Sequence, residues 1–90
     1  MRDYSICKRA IEVEGKNIQN YIAIEELSEL QQAVCRKVRG RESNIAEEIA
    51  DVRIILKQLE ILNSCEEEAE RHYWSKIERM EIRFKGRSEG

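Results

Sequence analysis

Ala23-Ile24-Glu25-Glu26-Leu27-Ser28-Glu29-Leu30 is a stretch in which carboxylates interrupt an apolar helical pattern. At 100° per residue, Glu26 and Glu29 fall on either side of the direction taken by Ile22 and Ala33. They therefore sit within an apolar face. Around them Ala23, Leu27, Leu30 and Val34 make one stripe and Ile18, Ile22 and Ala33 another, with Tyr21 and Ile24 between. A helix that is apolar on several sides is packed on several sides. This one is expected at the centre of a helical assembly that includes a partner chain.

A second stretch repeats the theme. In Ile45-Ala46-Glu47-Glu48-Ile49-Ala50-Asp51-Val52, Glu48 and Asp51 are three apart and share a side with Ile55 and Leu62. One acidic pair of this spacing is ordinary on a solvated face, and Glu66, Glu67 and Glu68 are read that way. Two such pairs on consecutive helices, each continuing an apolar stripe, point inward. Inward carboxylates repel one another and lose hydration, so they need protonation or a cation. Oxygen ligands from two facing helices suit a hard divalent ion, Mg²⁺ or Mn²⁺. A di-iron bundle would require Glu-x-x-His motifs, and the single histidine, His72, belongs to none.

Helix boundaries follow from glycines and capping residues. Gly15 ends a first helix that starts near Arg2 and carries Tyr4, Ile6, Ala10, Ile11 and Val13. Asn17 caps a second helix running to about Arg39, and Gly40 closes it. Asn44 with Glu47, and Ser64 with Glu67, have capping-box spacing for the third and fourth helices. The fourth is expected to end near Lys85, with a frayed tail from Gly86 to Gly90. The fold expected is all-α: one domain over residues 1–90, a four-helix bundle completed by oligomerisation.

Bulk composition agrees. The 90 residues contain no proline, four glycines, 38% charged and 41% hydrophobic residues, which suits amphipathic helices. So short a chain has little core of its own, and self-association is the expected remedy. Cys7, Cys35 and Cys65 are odd in number and widely spaced, which implies free, mostly packed thiols in a reducing cytoplasmic setting. The net charge of −2 argues against a nucleic acid polymer as partner. No apolar run approaches the roughly 18 residues of a membrane span. The first residues do not form a signal peptide.

Cations collect in two places. Lys76, Arg79 and Arg83 line one face of the fourth helix with His72, beside the apolar stripe Ala69, Tyr73, Ile77, Met80 and Phe84. They could clamp phosphate, or serve the helix dipole and pair with Glu78 and Glu81. Lys37, Arg39 and Arg41 form a second cluster near the turn between the second and third helices. Tyr73 is read as packing, and Trp74, which points off that stripe, as an interface anchor. Cys65 lies among acids that disfavour a thiolate, so no nucleophile is expected.

Glu25-Glu26-Leu27-Ser28-Glu29 followed by Glu48-Ile49-Ala50-Asp51 is an EExxE…ExxD pair, and Tyr73-Trp74-Ser75-Lys76-Ile77-Glu78-Arg79 with Arg83 supplies a basic ending. In these features the chain resembles the MazG-like all-α nucleoside triphosphate pyrophosphohydrolase superfamily over about residues 17–84. The resemblance implies Mg²⁺ (or Mn²⁺) held by Glu26, Glu29, Glu48 and Asp51. It implies catalytic roles for Glu25, Glu26 and Glu29, with Glu25 supporting the ligands or activating water. Lys76, Arg79 and Arg83, and less strongly Lys37, would bind the triphosphate. The implied reaction converts an NTP or dNTP to the monophosphate and pyrophosphate, in a homodimer or homotetramer with pockets shared between subunits. Phosphoribosyl-ATP pyrophosphohydrolases belong to the same superfamily but match less well. The competing expectation is a non-catalytic helical interaction module that retains the fold.

Overall fold

Gly15 turns the chain between two helices with no other linker, in a backbone conformation (φ +88°, ψ 161°) that is nearly closed to other residues. The computed structural model describes residues 3–89. Its helices are α1 (Ser5–Glu14), α2 (Lys16–Val38), α3 (Ile45–Leu62) and α4 (Glu66–Glu89), with no strand among the described residues. The Gly15 N–H closes α1 on the Ile11 carbonyl at 2.8 Å, and its carbonyl receives the Gln19 N–H at 3.2 Å to open α2. Asn17 is therefore inside α2 and is not its cap. The first helix begins at Ser5, and Arg2 lies outside the described residues.

Both later helix ends use the same device. The Gly40 N–H donates to the Lys37 carbonyl at 3.0 Å, and the Arg41 N–H to the Arg36 carbonyl at 3.0 Å, with Gly40 at φ +73°. This is a Schellman closure, the role expected of Gly40. At the end of α3 the Ser64 N–H donates to Ile61 at 3.1 Å and the Cys65 N–H to Glu60 at 2.9 Å, with Ser64 at φ +52°. Ser64 thus terminates α3 and does not cap α4, because a left-handed residue lacks the extended backbone of an N-cap. The Asn44–Glu47 box also fails: Asn44 precedes α3 but makes no side-chain cap bond. The fourth helix continues past Lys85 and Gly86 to Glu89, so the expected frayed tail is helical as far as the description extends; Gly90 lies outside it.

The short 39–44 connection returns α3 antiparallel to α2, pinned where the Ser43 hydroxyl donates to the Ala33 carbonyl at 2.6 Å. The buried and half-buried positions of α2 include Gln19, Ala23, Glu26, Leu30 and Ala33, and those of α3 include Ile45, Glu48, Val52, Ile55, Leu59 and Leu62. Alternating steps of three and four make a coiled-coil type of seam. Leu27 and Val34, expected in the main stripe of α2, are exposed, because the seam runs through Glu26 and Ala33 instead. The first helix packs on both members of the pair through buried Cys7 and half-buried Ala10 and Ile11, while Tyr4, Ile6 and Val13 remain exposed.

Among the described residues the fourth helix packs on α3 and on neither α1 nor α2. Lys57 ties its first turn to the rest, with its ammonium 3.3 Å from Glu60, 3.4 Å from Glu66 and 4.7 Å from the centre of the Tyr4 ring. Burial alone would lower the Lys57 pKa, but the bonds to Glu60 and Glu66 outweigh it and raise the value. The radius of gyration is 16.6 Å, against about 12 Å for a compact chain of this length. Four helices form as expected, yet within one chain only three close on one another.

Candidate metal centre

Spacing and antiparallel pairing together build the acidic site. On α2 Glu26 and Glu29 are one turn apart, and on α3 Glu48 and Asp51 are likewise. Opposed running directions set Glu48 beside Glu29 and Asp51 beside Glu26. Carboxylate oxygens of Glu26, Glu29 and Glu48 all lie within 4.8 Å of one another. Asp51, half-buried, is not part of that trio; it borders a neighbouring cavity together with Glu26. Glu25 is exposed beside the group.

The cluster is short of partners. Glu48 is 8% exposed, and Asn44 Nδ2 donates to its Oε1 at 2.8 Å. Asn44 is held in turn by Arg36, whose guanidinium donates to Asn44 Oδ1 at 3.1 Å. The other oxygen of Glu48, Oε2, is buried with no hydrogen-bond partner, and so is Glu26 Oε2. Among the described residues none of the four acids is in an ion pair. Burial raises the Glu26 pKa above its ordinary value, and the charges of Glu29, Asp51, Glu48 and Glu25 push the same way. Glu29 is raised by burial first, then by Glu48, Glu25 and Asp51.

Orphaned buried oxygens are normally satisfied by something. Here the orphans are carboxylates gathered within the span of a single coordination sphere, so the donor set fits a hard divalent cation. Glu26, Glu29 and Glu48 would hold it, with Asp51 adjacent.

The cations divide. Lys76, Arg79 and Arg83 are exposed on α4, which does not pack against α2, so one chain does not bring them to the acids. The Arg83 guanidinium lies 4.7 Å over the Phe84 ring. Lys37 is at the α2–α3 turn, where it borders an open depression of about 720 Å³ with Arg36, Arg41 and Ser43. On α4, His72 is exposed near Glu68, at 3.9 Å. Trp74 is exposed, donates Nε1–H to Glu70 at 2.7 Å and stacks edge-on to Tyr73. The cysteines are unpaired, as expected, but only Cys7 is buried: Cys65 is half-buried and Cys35 exposed, because the seam of α2 runs through Ala33 and leaves Cys35 outside it.

Three residues at this site were missed by the pattern reading. Gln19 is seven residues before Glu26, Arg36 seven after Glu29, and Asn44 four before Glu48. Each spacing returns to the face of its acid, and that signal would have found them. No protein-family model, curated protein or solved structure matches the chain.

Proposed function

We propose that this chain is a divalent-cation-dependent nucleoside triphosphate pyrophosphohydrolase of the MazG-like kind, forming a nucleoside monophosphate and pyrophosphate. The observation that carries it is the convergence of Glu26, Glu29 and Glu48 within 4.8 Å, with Glu26 Oε2 and Glu48 Oε2 buried and unpartnered. Mg²⁺, or Mn²⁺ in its place, is the cofactor in this reading, held by these three residues with Asp51. When bound it neutralises phosphate charge and polarises the phosphorus under attack.

The residues of the chain divide the remaining work. Glu25, exposed beside the cluster, accepts the proton of the attacking water. Glu26 and Glu29 place the cation next to it. Asn44, fixed by Arg36, keeps Glu48 turned toward the same point. Lys37 at the turn meets the phosphate tail. Lys76, Arg79 and Arg83 reach a phosphate only from a second copy, so the proposed enzyme is a homodimer or homotetramer. Exposed Tyr73, Trp74 and Met80 on α4 support that assembly, as do Tyr21 and Ile24 on α2. The free thiols support a cytoplasmic setting.

The test is pyrophosphate release from a panel of NTPs and dNTPs, with Mg²⁺ and with excess chelator. Chelator-sensitive release with monophosphate as co-product is expected. No release from any nucleotide, by folded and oligomeric protein, would leave the non-catalytic helical module as the better reading.

A further inference from the structure

Arg36-Lys37-Val38-Arg39-Gly40-Arg41 gathers four cations in six residues, in a chain whose net charge is −2. The turn between α2 and α3 sets three of them around one open depression. Arg36, Lys37 and Arg41 border it together with Glu42, Ser43 and Asn44, and it measures about 720 Å³. That lies within the roughly 300–1,000 Å³ of small-ligand sites. Arg36 is half-buried, and Lys37 and Arg41 are exposed, so a solute reaches them.

Cations near the end of a helix often serve its last carbonyls. Here the backbone already does so: the N–H groups of Arg39, Gly40 and Arg41 donate to the carbonyls of Cys35, Lys37 and Arg36. The Arg36 guanidinium donates instead to Asn44 Oδ1 at 3.1 Å. It carries five N–H donors, so that bond leaves others available. None of the three cations is in an ion pair among the described residues. Asn44 in turn donates to Glu48 Oε1 at 2.8 Å. The rim of the depression and the acidic trio therefore share one chain of hydrogen bonds.

We infer that this depression binds a phosphate-class oxyanion, held by Arg36, Lys37 and Arg41. A guanidinium offers paired donors to two phosphate oxygens, and an ammonium adds a point charge. Three cations less Glu42 leave a surplus of two positive charges, which suits a phosphate or pyrophosphate group better than a single carboxylate. Their confinement to one turn suits a small anion and not a polymer backbone. The inference deepens the proposed nucleotide chemistry, in which Lys37 meets the phosphate tail, and rests on it for the source of the anion. It adds Arg36 and Arg41, and the link through Asn44 to Glu48. Two sources supply such a group: the tail of a bound triphosphate, and free pyrophosphate.

The experiment is binding of pyrophosphate to the full chain in the presence of chelator, followed by titration calorimetry and by the NMR shifts of the Gly40 backbone amide and the Asn44 side-chain amide. Binding that weakens with salt and moves both signals is expected. Lys37→Ala with Arg41→Ala, both at exposed positions, should weaken it at least about tenfold. Lys76→Ala with Arg79→Ala, the same charge change on α4, should weaken it far less. No binding by the parent, parental affinity in the turn variant, or equal losses in the two variants would overturn the assignment. Steady-state kinetics separate the sources. A KM raised by a similar factor for every triphosphate in the turn variant identifies the triphosphate tail. An unchanged KM with relief of inhibition by pyrophosphate identifies the free product. Pyrophosphate binding at the turn with no hydrolysis of any triphosphate keeps this site and sinks the activity. Hydrolysis with the same kcat/KM in parent and turn variant, and no pyrophosphate binding by either, does the reverse.

Discussion

Asn44 Nδ2 donates to Glu48 Oε1 at 2.8 Å and leaves Glu48 Oε2 buried and free of any hydrogen bond. One oxygen is fixed by the fold, and a Glu48 carboxylate oxygen lies within 4.8 Å of oxygens of Glu26 and Glu29. Asn44→Ala should remove the anchor and let the carboxylate rotate. Loss of such a support typically costs 10–100-fold in metal affinity or activity. Mn²⁺ titration followed by electron paramagnetic resonance would measure it, and unchanged affinity would show that Glu48 is held by packing alone.

Glu29→Gln and Asp51→Asn should each lower pyrophosphate release at least about 100-fold while leaving helical circular dichroism intact. Without cation the variants should melt at or above the parent temperature, since a repelling charge is gone. Unfolding of both would mean that these acids are structural.

Stability of the metal-free protein should depend on pH with a definite sign. Glu26 and Glu29 have native pKa values raised above the ordinary 4.5, by burial first and neighbouring carboxylates second. From the unfolded value up to the native one, the native state binds more protons. The contribution of this pair is therefore fully present below the unfolded value and is lost as pH rises through the native one. Urea unfolding across that window, with chelator, checks the slope. Saturating Mg²⁺ at neutral pH should restore the loss by binding the native state, and Glu48→Gln should abolish the restoration.

The two helix ends that share a Schellman closure should respond oppositely to mutation. Gly40 is at φ +73° and an added Cβ would meet nothing within 4 Å, so Gly40→Ala is opposed by backbone conformation alone, about 1–2 kcal/mol. Ser64 already bears that strain at φ +52°. Ser64→Gly should therefore stabilise, by somewhat less than 1 kcal/mol after the glycine's chain-entropy penalty. Denaturant midpoints at constant slope would show both.

Tyr73 and Met80 are 56% and 45% exposed on a helix that lacks neighbours beyond α3. If a second copy covers this face, Tyr73→Lys with Met80→Lys should convert the oligomer to monomer in light scattering. A parent chain that is already monomeric would dismiss the shared-site arrangement, and with it the role of Lys76, Arg79 and Arg83 on the phosphates.

Helix existence and the inward acids were legible because both follow from local periodicity: 3.6 residues per turn fixes which side chains share a face, whatever the helix packs against. The breaks at Gly15 and Gly40 were legible because few residues tolerate their backbone angles. Capping was read less well. Asn44 and Ser64 have letters that suit an N-cap, yet one turned its amide to Glu48 and the other took the left-handed position ending α3. Arg36 of α2 helps hold the Asn44 amide, whereas the Ser64 closure is made with Ile61 and Glu60 of its own helix end.

By itself the sequence determined four helices and two acid pairs at one-turn spacing. Tertiary structure decided that three of the four acids converge, that Asn44 and Arg36 brace Glu48, that the Gln19 Oε1 is buried without a partner, and that α4 packs on α3 and on neither α1 nor α2 among the described residues. The reason is physical. Periodicity is set between residues three or four apart, whereas burial, pairing and the direction of α4 depend on contacts between segments whose register no local pattern encodes.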